Sequence, residues 1–106
     1  MKKLIFPACF LMTVFVQPTL AKDSSDVALE LGTVLASEAF CDLSYDHNAI
    51  EAYIQKNVPA DDMSFPSMLN MMTSGSEVQF REMSPSAKAA HCAQMRRIAK
   101  SFRFVN

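Results

Sequence analysis

SPSAKAAHCAQMRRIAKSF, residues 84–102, is the stretch whose reading decides the fold. At about 100° per residue, with Met95 set at zero, His91, Cys92, Ile98, Ala99 and Phe102 fall within about 60° of it, while Arg96, Lys100 and Arg103 fall on one flank. One helix therefore carries a core stripe, a cysteine and a row of cations. Ser84 followed by Pro85 marks its start: the serine oxygen can accept an orphan amide hydrogen bond, and proline is harmless where no N–H partner exists.

The other end of the chain bears on the fate of that cysteine. Lys2 and Lys3 precede an apolar run from Leu4 to Val16, followed by Pro18 and Thr19-Leu20-Ala21. This pattern predicts a secretory signal peptide over residues 1–21, cut after Ala21. From Leu4 to Leu20 the 17 residues are interrupted by Pro7 and Pro18 and barely reach bilayer length, so cleavage is expected rather than a retained anchor. Cys9 would leave with the signal, and the mature domain, residues 22–106, would have 85 residues and two cysteines, Cys41 and Cys92. An even number in an oxidising compartment reads as a disulfide, and a chain this short benefits from one. The predicted destination is the periplasm or the exterior.

From residue 22 to 82 the chain holds three basic and eleven acidic side chains, about −8; from 83 to 106 it holds five basic and none acidic, about +5. Internal pairing of an acidic body with a basic last helix is one reading, helped by the preference for cations near a helix C-terminus. A docking surface for an anionic partner is the other.

Between these ends the pattern is helical. Val27, Leu31, Val34 and Leu35 give a first helix with Cys41 near its end, where Gly32 is a weak point and Glu38 sits beside the apolar stripe. Residues 42–48 form a polar connection in which Asn48 and Glu51 have the spacing of a capping box, with Ser44 or Asp46 as caps for an earlier start. Ile50, Tyr53 and Ile54 make a short second helix that stops before Pro59. Ser64 and Pro66 open a third, with Phe65, Met68, Leu69 and Met72 inward and Gly75 as its expected stop. A further turn is expected over residues 77–83, and the tail after Phe102 is expected to fray. The fold class expected is all-α: a small bundle of four to five short helices stapled by one disulfide.

Candidate chemistry is sparse. A zinc site from Cys41, His47, His91 and Cys92 would need adjacent residues that point about 100° apart to reach one ion. No nucleophile elbow, phosphate loop or facing carboxylate pair is present, so neither an enzyme nor a cofactor is expected. Five cations without an aromatic platform argue against nucleic acid, and a helix whose apolar face is held in the core argues against stable membrane insertion. The candidate partner surface combines Met68, Met71 and Met72 with Arg96, Arg97, Lys100 and Arg103. An adaptable thioether surface suits apolar protein partners, and thioethers also suit Cu(I), which makes a Met-rich copper-binding protein one alternative.

In size, helical pattern, Cys41 and Cys92 about 50 residues apart and Ser84-Pro85 ahead of the second cysteine, the chain resembles the small periplasmic acid-stress chaperones of the HdeA type. That resemblance implies a bridge tying two helices, and a homodimer that acid converts into monomers able to hold other proteins. Residues 96–103 also resemble, loosely, the basic tails of effectors delivered by type IV (VirB-type) secretion systems. Either way, the expected role is non-enzymatic and exercised through protein contacts.

Overall fold

The computed structural model describes residues 23–106. The expected signal peptide and Cys9 lie outside the described residues. Four helices follow in order: α1 (Ser24–Phe40), α2 (His47–Asn57), α3 (Phe65–Phe80) and α4 (Pro85–Ser101). All regular elements among the described residues are helices, and Cys41 is bonded to Cys92.

The central element is α1, not α4. Val27, Ala28, Leu31, Gly32, Val34, Ala36 and Ser37 of α1 are buried, against only Cys92, Met95 and Ala99 of α4. α3 runs parallel to α1. Gly32 meets Met72 and Thr73, Thr33 lies 3.4 Å from Ser76, and the Phe40 and Phe80 rings stack with centroids 4.9 Å apart, so ascending positions match. A parallel pair needs a crossover between its members, and α2 with its flanking loops supplies it. Asp62 fastens the end of this crossover to the start of α1. Hydrogen bonds from the Ser24 and Ser64 hydroxyls, the Ser24 one foremost, hold its carboxyl below the usual range.

Gly32 is the point of closest approach: a Cβ built there would lie 2.8 Å from the Met72 Cβ and 3.0 Å from the Thr73 backbone nitrogen. The residue that weakens the helix in the sequence is the one that lets α3 lie against it. Gly75 has no heavy atom within 4 Å of the same construction, and α3 passes through it without a break. The expected stop and the separate turn over 77–83 are therefore corrected to one helix. Ser76 and Phe80, both buried, hold the stretch after the glycine.

The starts of α4 and α2 follow the local signals, whereas Ser64 before α3 makes no side-chain cap bond. The Ser84 oxygen accepts from the Ala87 N–H at 3.2 Å, and the Asp46 carboxylate accepts from the Asn48 N–H at 3.0 Å. Asp46 is thus the cap of α2, in place of the Asn48 and Glu51 box.

The C-terminal tail is folded rather than frayed. Arg103 takes a left-handed backbone with φ 62°. The Phe104 N–H donates to the Ala99 carbonyl and the Arg103 N–H to the Lys100 carbonyl, at 2.9 and 3.0 Å. This is the Schellman arrangement, which satisfies carbonyls otherwise orphaned at a helix end. It swings Phe104 inward to 1% exposure, and the Phe104 carbonyl accepts from the Asp46 N–H at 2.8 Å. Asp42, φ 53°, ends α1 in the same way, with the Leu43 N–H donating to the Glu38 carbonyl.

Candidate interaction surface

The bridge places α4 across the C-terminal end of α1, where Cys41 is the cap residue and its Cα lies 5.4 Å from that of Cys92. Both sulfurs are used in this bond, so neither is a metal ligand. Beside it the His91 ring packs on Phe80, centroids 4.6 Å apart, and on Phe40 at 6.0 Å. The Ser37 hydroxyl donates to the Thr33 carbonyl at 2.7 Å and lies 2.9 Å from the His91 Nε2. Because its one hydrogen is committed, Ser37 accepts from Nε2–H, which assigns the tautomer of the neutral ring. Burial pushes the His91 pKa down. Lys88 covers the outer side of this cluster, its Nζ 4.6 Å from the Phe40 centroid.

With Cys92, Met95 and Ala99 turned inward, Arg96, Arg97, Lys100 and Arg103 are exposed. Arg96 and Lys100, four apart, are neighbours on one side of the helix, and Arg103 follows just past its cap. Arg97 donates a 3.5 Å hydrogen bond to Gln94. None of the four cations is ion-paired with a described residue. Glu38, beside the apolar stripe of α1, accepts from the backbone N–H of Tyr45.

The methionines are placed differently. Met68 and Met72 pack against the core, whereas Met71 is 65% exposed. All three are on α3, and the cations are on α4 and its cap. The structure thus separates the two halves of the expected surface onto different helices, each resting on α1, and puts two of the three thioethers into packing.

Sequence reasoning missed the aromatic seat under the end of α4. Tyr53 of α2 packs on Phe102 with centroids 4.8 Å apart, and Phe104 meets Tyr53 and Tyr45 at 5.9 and 5.5 Å. Tyr45 is itself buried, its hydroxyl donates to the Val34 carbonyl at 2.8 Å, and burial followed by the nearby Glu38 charge pushes its pKa up to about 12. An apolar residue two positions beyond a helix cap is the signal that could have found Phe104.

Compared with known proteins, the chain matches no family model, no curated protein and no solved structure. Among the described residues no helix is long and apolar enough to cross a membrane.

Proposed function

We propose that this chain is an exported, non-enzymatic helical protein that acts by binding an acidic protein partner through the exposed cations of α4. The observation that carries the reading is that Arg96, Arg97, Lys100 and Arg103 have no ion-pair partner among the described residues, although the chain holds eleven carboxylates. Uncompensated like charges on one helix repel each other and favour association with an anionic surface, accelerating encounter by long-range attraction. Charge reversal by Arg96→Glu, Arg97→Glu and Lys100→Glu removes the attraction without touching a buried side chain. Crosslinking in the native host is expected to capture a defined partner with the wild type and lose it with the reversed protein. An unchanged adduct after reversal would reject the reading. A reporter fusion then separates an envelope partner from one reached by delivery into another cell.

A second reading, holding other proteins at low pH, has one observation in its favour: His91 lies neutral at the α1–α4 seam with its pKa pushed down by burial. Acid places a charge in that seam while neutralising the carboxylates. Suppression of client aggregation is expected below about pH 3, where most carboxylates are protonated. A compact and inactive protein at that pH would reject it.

A further inference from the structure

We infer that the acidic partner is read by an apolar side chain as well as by its charge, and that the cleft between α2 and the end of α4 takes that side chain. This rests on the reading of α4 as a basic docking face and adds the chemistry of the segment recognised. Ala49, Ala52 and Tyr53 of α2 face Phe102 and Arg103 across an open cleft of about 580 Å³, with Lys56 at its edge.

Three observations point to a short acidic segment with an apolar anchor. The first is shape: two alanines leave a floor in front of the Tyr53 and Phe102 rings, and the cleft is open along one side, which admits a backbone carrying a side chain inward. The second is charge. Lys56 and Arg103 contribute two positive charges, and the C-terminal ends of α2 and α4 offset about half a charge each, which leaves the cleft net positive. The third is the backbone of Arg103, left-handed at φ 62°, where a residue with a Cβ is disfavoured and glycine is usual. The buried Phe104 holds that conformation in place. Arg103 therefore stays at the cleft, where an acidic residue flanking the apolar anchor meets its charge.

A membrane surface fits less well. The exposed side of α4 beside the cations offers Ala93 and Gln94 rather than large apolar groups to insert, and the aromatic rings lie in a concavity. Nucleic acid fits less well because Tyr53 and Phe102 are packed on each other and on Phe104, not presented as stacking platforms.

The test uses two fluorescent glutamate-rich peptides of equal length and charge, one with a central phenylalanine and one with alanine there. The wild type is expected to bind the phenylalanine peptide about tenfold more tightly, a difference of about 1.4 kcal/mol. Ala52→Leu, at an exposed position, fills the cleft and is expected to erase that preference while binding of the alanine peptide persists; Ala49→Leu provides an independent filling variant. Arg96→Glu with Lys100→Glu is expected to weaken both peptides and keep the preference. Equal affinity of the two peptides for the wild type overturns the cleft assignment and leaves the basic face standing. Absence of binding to either, or indifference to charge reversal, overturns both. Tighter binding of anionic phospholipid vesicles or of a single-stranded oligonucleotide than of the phenylalanine peptide also overturns the assignment.

Discussion

Gly32 and Gly75, the two glycines of the chain, behave oppositely because only one is touched by a neighbouring helix. At Gly75 a methyl group meets open space, so Gly75→Ala is expected to raise stability by roughly 1 kcal/mol through helix propensity alone. At Gly32 the same change gains the same propensity but drives a Cβ to 2.8 Å from Met72. Overpacking costs roughly 1–3 kcal/mol, so Gly32→Ala is expected to come out net destabilising. Urea midpoints for the pair check both signs, and a stabilised Gly32→Ala would show that the α1–α3 approach is looser. His91 acts through pH. Its folded pKa lies below the ordinary histidine value, so the unfolded chain binds more protons just below about pH 6.5. The contribution of the neutral ring is complete above that value and is lost as pH falls through the folded pKa. His91→Gln is expected to flatten the fall in unfolding midpoint between about pH 7 and 5; an undiminished slope would place its origin elsewhere.

At the scale of elements, the turn after α4 matters more than its length suggests. Phe104 is fully enclosed, and its backbone joins the end of α4 to the start of α2 through Asp46. Phe104→Ala is expected to cost roughly 3 kcal/mol, as for other buried phenylalanines. A fraying tail would show no change, so calorimetry of this variant separates the two pictures. Deleting residues 96–106 would therefore unfold α4 along with removing its charge, and only charge reversal at exposed positions tests the basic face. The same logic makes α3 one element: Ser76 and Phe80 pack beyond Gly75, and one exposed glycine costs about 1 kcal/mol, less than burying a phenylalanine returns.

At the scale of the molecule, the Cys41–Cys92 bridge closes a loop with a sequence separation of 51. In the chain-entropy account this contributes about 4 kcal/mol, a large share of the 5–15 kcal/mol typical of a domain. Replacing both cysteines by alanine is expected to lower stability by about that amount, measured against the oxidised protein in urea. A loss below about 1 kcal/mol would mean that packing of α4 on α1 suffices alone. Because the α4 cations take no part in ion pairs with described residues and repel one another, raising salt toward 1 M is expected to screen that repulsion and leave folding no weaker, while weakening partner binding.

What the sequence determined was local or arithmetical. Ser84-Pro85, Asp46 and the three-and-four spacing of apolar residues set the helix starts and inward faces, because a cap or a stripe is read from residues within one or two turns. Two cysteines after an expected signal peptide pointed to one bond because no other pairing was available. The tertiary structure alone decided that α1 is the centre, that α3 lies parallel to it through Gly32, that Phe104 turns inward, and that a cleft opens between Tyr53 and Phe102. Each of these depends on residues tens of positions apart filling the same space, and excluded volume between distant segments has no periodicity along the chain for a sequence pattern to display.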